Sequence, residues 1–281
     1  DGGGAFIVAN DNLGIRTGAV AASALLIDYV LTVSVSVAAG VAAITSAVPG
    51  VIPWRIEVAV GFVIILTVAN LRGVKEASTL FAAPTYLFVA TVAVMLVAGF
   101  AQCLDGECPK AISSGTEVEA EVAVVGLFLI LRAFASGSTA LTGVEAVANG
   151  VQAFRQPKAH NAATTLGIMG AISITMFLGI STLALWFDVR ISEQTIDEYG
   201  TVISQIGRAA FNGGIGFYVL QVFTAAILIL AANTAYQDFP RLSAILARHK
   251  LMPRQYLNRG DRLVFSNGII TLALIAVALL I

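Results

Sequence analysis

Charged residues are scarce in this chain of 281 residues. Lys, Arg, Asp and Glu together make up 12% of it, whereas soluble domains carry about 25%. Hydrophobic residues make up 58%, so a soluble globule of this composition would have too few polar side chains to cover its surface. The formal net charge of -1 also excludes the basic surface that nucleic acid requires. We therefore expect the apolar excess to face membrane lipid, and we expect no nucleic-acid partner.

Residues that carry enzyme chemistry are equally scarce. The chain has two histidines, His160 and His249, and both stand beside basic residues in stretches that are typical of loops. No Ser-His-Asp arrangement, carboxylate pair, phosphate-binding loop or dinucleotide motif occurs in a credible context. Two cysteines without a nearby histidine fall short of the four ligands that zinc usually takes. We expect no enzyme, no cofactor and no transition-metal site.

Long runs with almost no charge are what the sequence does contain. A helix needs about 20 mostly apolar residues to cross a hydrocarbon core of about 30 Å. A short run, 58–71, reaches that length if Trp54 lies at the interface and Arg55 and Glu57 extend outward. The runs are too long for amphipathic surface helices and lack the alternation of a membrane barrel. The sequence predicts an all-α polytopic membrane protein with about seven spans. The six longer runs cover residues 17–54, 77–104, 122–144, 161–187, 209–237 and 263–281.

Charges separate into two groups when alternate loops are compared. One set of loops holds eleven Lys and Arg and five Asp and Glu, and the other holds four and ten. Cytoplasmic loops are richer in Lys and Arg. The pattern predicts a multi-pass protein of the plasma (inner) membrane whose first span runs from inside to outside, with the start of the chain in the cytoplasm. Three charged residues, Asp28, Arg132 and Glu145, remain at membrane depth.

An acidic residue in the first span begins the most informative pattern. A carboxylate in mid-membrane costs about 2.5 to 3.5 kcal/mol on insertion scales and rarely persists without a partner or a water-filled cavity. Thr32 and Ser36 follow Asp28 at i+4 and i+8, so three oxygen-bearing side chains share one stripe of a helix. The stripe favours a cation site. The alternatives are that Asp28 neutralises Arg132, and that the two hydroxyls bond to the helix backbone or only pack.

The fourth span has a composition that suits a broken helix. Gly137 and Gly143 bracket a stretch rich in Ser and Thr, which forms a continuous helix poorly. Transporters place ion and substrate sites at such breaks, where backbone carbonyls are exposed at membrane depth. Thr142 and Glu145 would share a face just past the break, and because burial favours a neutral carboxyl, Glu145 is also the predicted proton-coupling residue. The alternative is a small-residue packing interface with Glu145 near the inner water boundary.

Loop segments on the two sides allow narrower predictions. Cys103 and Cys108 lie in an outer loop, on the oxidising side of a plasma membrane, and their spacing favours a small disulfide loop over two free thiols. On the inner side, residues 238–262 alternate basic residues with Leu and Ile. They form either an amphipathic segment on the inner leaflet or an ordinary positively charged loop. We interpret Asn233 and Thr234 as polar groups at the inner end of the sixth span rather than as a second site.

Four segments of the chain resemble the amino acid/polyamine/organocation (APC) superfamily of transporters. Two of them, 70–76 and 238–242, are shared widely in that superfamily. The stripe of the first span, taken together with Thr142 and Glu145, is similar to its KimA-type potassium importers, which are relatives of the Kup uptake systems. The resemblance covers essentially the whole chain. The four segments are residues 26–33, 70–76, 140–146 and 238–242.

The resemblance implies a fold of two inverted five-helix repeats, the APC/LeuT-type bundle. Residues 15–101 would be helices three to five, at the end of the first repeat, and residues 121–281 would be helices six to nine, at the start of the second. Residues 1–281 would then be a single transmembrane permease domain, truncated at both ends, that forms a homodimer at full length. The implied potassium ligands are Asp28, Thr32, Ser36, Thr142 and Glu145.

Two transport functions fit these observations. The first is proton-coupled potassium uptake by a secondary active transporter, with K+ and H+ as the transported species. Mostly neutral oxygen ligands with one carboxylate suit a weakly hydrated monovalent cation. The alternative is an APC-type amino acid permease, which would not require an acid at Asp28. A channel is disfavoured because no selectivity-filter sequence is present.

Overall fold

The structure, a computed structural model, describes residues 4–73, 78–106, 108–116, 126–138, 154–257 and 265–281. Within these residues it consists of α-helices and two short 3-10 helices, Pro49–Trp54 and Arg254–Leu257, with no strand. The all-α prediction is therefore confirmed. In chain order the helices are α1 (Gly4–Leu13), α2 (Ile15–Ala47), α3 (Arg55–Leu71), α4 (Ser78–Leu104), α5 (Leu127–Ser138), α6 (Lys158–Trp186), α7 (Glu193–Tyr199), α8 (Val202–Ala210), α9 (Ile215–Arg248) and α10 (Ser266–Leu280).

Five helical segments among the described residues are long and apolar enough to cross a membrane. One of them joins the first 3-10 helix to α3 as Pro49–Leu71, so the short run around 58–71 does reach spanning length by including Trp54. The predicted runs 122–144 and 263–281 contain shorter apolar helices. These are α5, with 12 residues, and α10, with 15. The chain is a multi-pass membrane protein. The assignment of its helices to two inverted repeats stays a prediction.

The largest core joins α2, α3, α9 and α10. Val33, Val63 and Leu272 are almost fully buried in it. Lipid is as apolar as these side chains, so close van der Waals packing rather than exclusion of water holds the helices together. The helices approach closely at Gly40, where an added Cβ would already be in van der Waals contact with the Ile229 side chain, at 3.4 Å. Of the described helix pairs, α2 and α9 share the most extensive contact.

A second core lies at the end of the bundle where α2 finishes. It joins α4, α6, α8 and α9 around the fully buried side chains of Met95, Leu183, Phe187 and Ile206. The short helix α8 is strongly amphipathic, with Ser204 to Gly207 buried as one continuous turn. Its apolar face covers the outer ends of the longer helices. This core therefore holds the segment between α6 and α9 in place.

The loops with few basic residues gather at this same end, as the charge pattern predicts. Arg55 at the start of α3 forms an ion pair with Asp197 of α7 across 3.3 Å. Arg208 of α8 donates a hydrogen bond to the backbone carbonyl of Ser46, in the last turn of α2, at 3.0 Å. These contacts join segments about 150 residues apart in sequence, so the grouping of alternate loops is confirmed for this end.

The opposite end is built by α1 and the last turns of α9. Phe6 is fully buried, packs with Leu242, and meets the ring of His249 edge-on with centroids 5.2 Å apart. The loop interpretation of residues 238–262 is therefore wrong for the part up to Arg248, which continues α9 as a largely buried helix. The position of this part relative to the inner leaflet stays a prediction. The physical reason is packing against α2, whose Ala22 and Leu26 join Phe6 of α1 in covering the apolar side chains of this part of α9.

Cys103 and Cys108 form a disulfide bond, which confirms the favoured prediction for the outer loop. The bond links the last turn of α4 to the start of the segment 108–116, and five positions separate the two cysteines. Both side chains are partly buried against the second core. The outer layer thus has one covalent anchor in addition to its packing.

Candidate cation site

The predicted stripe lies on one side of α2. This helix is continuous over 33 residues, so Asp28, Thr32 and Ser36 follow one another at intervals of about one turn. The adjacent face carries Val33 and Val37, which are both fully buried in the largest core. Asp28 is exposed, and Thr32 and Ser36 are partly buried. The stripe therefore runs along the edge of the core rather than inside it.

The hydroxyls of Thr32 and Ser36 differ from the other hydroxyls of α2. The helix has seven Ser and Thr side chains, and five of them donate to backbone carbonyls three or four residues earlier. Ser34, for example, donates to the carbonyl of Val30 at 3.1 Å. Thr32 and Ser36 make no such bond within α2, which is described in full. The backbone-bonded alternative is therefore wrong, and among the described residues neither oxygen has a hydrogen-bond partner. The alternative that the two side chains only pack stays open.

The carboxylate of Asp28 is not neutralised by Arg132. Arg132 lies on α5 and is exposed. Within the residues that the structure describes, Asp28 takes part in no ion pair and no side-chain hydrogen bond. Because an acid in a spanning helix is costly, one without a protein partner is expected to serve a ligand or an ion. The arrangement favours the cation site over the ion-pair alternative.

The second half of the predicted site lies outside the described residues. The description of α5 ends at Ser138, before the break predicted near Gly143. Thr142 and Glu145 follow that point. Their roles as cation ligands, and the proton-coupling role of Glu145, stay predictions.

Sequence reasoning missed a polar contact between α3 and α9. Nδ2 of Asn70 donates to Oδ1 of Asn233 at 2.7 Å, and the hydroxyls of Thr67 and Tyr236 lie 3.0 Å apart on the same two helices. Asn233 is buried in the middle of α9, so its interpretation as a helix-end group is wrong. Thr234 is exposed, and its hydroxyl donates to the carbonyl of Ala231 in its own helix. The available signal was an amide, Asn70, within an apolar span.

A cavity of about 320 Å³ at the outer end of α2 was also not predicted. Ala38 and Ala42 line it, and they point roughly 100° around the helix from Thr32, whereas Ser46, a further lining residue, lies at the outer end of α2. Its rim carries Glu198 and Tyr199. A hydrogen bond to the Glu198 carboxylate raises the pKa of the Tyr199 phenol, which therefore stays protonated. The lining residues are far apart in sequence, so no sequence motif predicts the cavity.

Comparison of the sequence with known proteins identifies the family. The family model for amino acid permeases matches residues 1–281. The chain is also 43% identical, over 280 residues, to the potassium transporter KimA of Bacillus subtilis (strain 168). That similarity covers 100% of this chain but 45% of the relative, so the chain spans less than half the length of that curated protein. A match over the whole chain shows that it belongs to the amino acid permease family of the APC superfamily.

Proposed function

We propose that this chain is a transmembrane part of a proton-coupled potassium uptake transporter, a secondary active transporter. The observation that carries the proposal is the stripe on α2. There one carboxylate, without a partner among the described residues, stands beside two hydroxyls that make no bond within their helix. The similarity to a potassium transporter supports potassium as the substrate. Membership of the permease family supports secondary transport.

The chemistry of the stripe suits a potassium ion. K+ is weakly hydrated and is selected by neutral oxygens at modest field strength, to which one carboxylate adds charge. In the proposal, Asp28, Thr32 and Ser36 supply one side of the ion's shell. Thr142 and Glu145 supply the other side, and Glu145 also takes up and releases the coupled proton. K+ and H+ are the transported species, and no further cofactor takes part.

The proposed setting is the plasma membrane, with the start of the chain in the cytoplasm. The separation of charge supports this orientation, because the loops that hold eleven of the basic residues and the loops that hold ten of the acidic residues alternate along the chain. Contacts such as Arg55 to Asp197 at one end and Phe6 to His249 at the other fit the same grouping. At full length the protein is a homodimer in contact with lipid, as the family resemblance implies.

Complementation tests the proposal. The full-length protein is expressed in a bacterium that lacks potassium uptake and is grown on limiting K+. Wild type restores growth, whereas Asp28→Asn and Glu145→Gln do not, because each removes a charge that the ion or the proton requires. Asp11→Asn, an exposed acid on α1, is the matched control and restores growth. All variants are checked for equal amounts in the membrane fraction.

Two outcomes would contradict the proposal. Growth of both Asp28→Asn and Glu145→Gln at the wild-type rate would show that the stripe is not the ion site. Uptake of a labelled amino acid by wild type, undisturbed by Asp28→Asn and without potassium uptake, would establish the alternative, amino acid permeation.

A further inference from the structure

The outer layer is organised around one buried serine. The segment Cys108 to Thr116, here called the strap, crosses from α4 toward α8. Oγ of Ser113 donates to Oε1 of Gln205 on α8 and accepts from the backbone nitrogen of Arg190 at 2.9 Å. Ser113 and Gln205 are at most 1% exposed. Buried polar contacts that are fully satisfied define position sharply, so the strap determines where α8 lies.

From Gln205 the contacts continue to the end of α2. We call α7 and α8 together, Glu193 to Ala210, the outer cap. Within it, Nε2 of Gln205 donates to the carbonyl of Gly200 at 3.0 Å. Gly200 lies so close to Ser46 that an added Cβ would overlap the serine side chain, and Arg208 donates to the carbonyl of Ser46. Ser46 stands ten positions beyond Ser36 on the same continuous helix.

The strap is tied down at its beginning by the disulfide. Cys108 is bonded to Cys103 in the last turn of α4. Both cysteines are only partly buried, and Leu104 and Asp105 beside them are exposed, so a small thiol can reach the bond. Accessible disulfides are the ones that undergo exchange most readily. The contact that covalently anchors the outer layer is thus also its most reactive one.

We propose that the Cys103–Cys108 disulfide is a redox-sensitive latch that holds the outer cap against the end of α2. A dithiol supplies the two electrons: its thiolate attacks one sulfur, a mixed disulfide forms, and the second thiol resolves it. The products are two cysteine thiols and the oxidised dithiol. Without the bond, the strap gains conformational freedom at its start. The Ser113–Gln205 contact is then easier to break, and the cap loosens.

The cavity at the end of α2 gives the latch a structural consequence. Ile112 of the strap and Gly200, Thr201 and Arg208 of the cap are all part of its wall. Loosening the strap and the cap together therefore opens the cavity toward the outer side. This part of the inference does not depend on the transported substrate, whereas an effect on uptake rests on the proposed function.

Hydrogen exchange of the full-length protein in lipid nanodiscs tests the latch. Exchange of the cap amides is compared with the disulfide intact and after complete reduction by dithiothreitol, verified by thiol labelling. We expect reduction to speed exchange in the cap about tenfold, as a loosened cooperative unit would. The variant Cys103→Ser with Cys108→Ser exchanges equally fast and does not respond to the reductant. Unchanged cap exchange after complete reduction would overturn the inference.

Variants of two neighbouring serines distinguish a specific effect of the Ser113–Gln205 contact from a general loss of packing. Ser113→Ala removes the contact to Gln205 while the disulfide stays intact, and it speeds cap exchange without reductant. Ser114→Ala removes only a hydrogen bond to Asp188, 3.0 Å long, and leaves cap exchange as in wild type. Equal exchange in Ser113→Ala and wild type would show that the strap does not position the cap.

Uptake measurements then connect the latch to the proposed function. If the cap closes the outer side, reduction raises the population that is open outward and lowers the external K+ concentration for half-maximal uptake by about fivefold. If reduction speeds hydrogen exchange in the cap but leaves K+ uptake unchanged, the effect of the latch is confined to the cap. That result would overturn the proposed connection between the latch and uptake. Absence of any K+ uptake by wild type would instead refute the proposed function and leave the exchange result standing.

Discussion

The side-chain amide of Asn70 donates a hydrogen bond to the side-chain oxygen of Asn233 across 2.7 Å and joins α3 to α9 inside the apolar bundle. This bond fixes α9, and α9 packs against the buried face of α2, opposite the exposed face of α2. A polar bond in such surroundings is directional, whereas van der Waals packing is not. We therefore expect the Asn70–Asn233 pair to determine the register between α3 and α9.

Replacing Asn233 by Ala tests the strength of this bond. Hydrogen bonds between membrane helices contribute about 0.6 kcal/mol on average and up to about 1.7 kcal/mol. The expected loss of unfolding free energy lies in that range, measured on the full-length protein in detergent by denaturation. Thr234→Ala, at an exposed position that bonds to its own helix, should change little. A double cycle with Asn70→Ala isolates the pair, and a coupling energy near zero would contradict the assignment.

The hydroxyls of Thr32 and Ser36, which make no hydrogen bond within the described part of the chain, lead to a prediction about potassium affinity. Thr32→Val and Ser36→Ala each remove one neutral oxygen, and a loss of about 1 kcal/mol of ion binding corresponds to about a fivefold rise in half-saturation for K+. Ser34→Ala is the matched control, because its hydroxyl is already bonded to Val30. Uptake of a potassium analogue over a concentration series measures the effect. Equal half-saturation in all three variants would remove these hydroxyls from the site.

A glycine at the contact between α10 and α9 leads to a prediction about stability. A Cβ on Gly268 would lie 2.9 Å from both Cα and Cβ of Pro240, and backbone cannot move aside cheaply. Gly268→Ala should therefore destabilise the protein by about 1 to 3 kcal/mol. Gly61→Ala in α3 meets nothing within 4 Å and should stabilise by up to about 1 kcal/mol through helix propensity. Thermal unfolding of both variants tests the contrast, which would fail if Gly268→Ala were neutral.

Two arginines of the outer layer should differ sharply when replaced by Ala. Arg208 donates to Ser46 and lies 4.8 Å from the ring centre of Phe217, so its loss should cost about 2 kcal/mol. The ion pair of Arg55 with Asp197 has side chains 60% and 73% exposed, and such pairs contribute at most about 1 kcal/mol. Only the Arg55 effect should shrink further at high salt. Equal losses of unfolding free energy in Arg208→Ala and Arg55→Ala would show that the burial of an arginine's contacts does not determine its contribution here.

Much of the architecture could be predicted from local properties of the chain. Spanning helices follow from the length of apolar runs, because backbone groups in lipid must bond within their own segment. The alternation of charged loops predicted which segments meet at each end, and Arg55 does meet Asp197 there. The stripe of Asp28, Thr32 and Ser36 follows from helical periodicity alone. The short spacing between Cys103 and Cys108, together with their place in an outer loop, predicted their bond, which the structure contains.

The remaining features depend on which segments become neighbours in space. No local pattern predicts that Ser113 reaches Gln205, 92 positions away. Nor does the sequence reveal that the amide of Asn233 lies within a longer helix, since the last turns of that helix are buried by contacts with α2 and with Phe6. The bonded state of each hydroxyl on α2 likewise follows from rotamer choice in the packed bundle.

By itself, then, the sequence determined that this protein spans a membrane many times, that its loops divide by charge, and that an acid with two hydroxyls forms a stripe on its first long helix. Only the tertiary structure decided that those hydroxyls make no bond to the residues it describes, that Asn70 bonds to Asn233 of α9, and that a strap and cap line a cavity beside Ser46. Periodicity and the cost of burying charge act along one segment, so they can be predicted from residue order. Close packing acts between segments, and it depends on shapes that appear only once the helices are assembled.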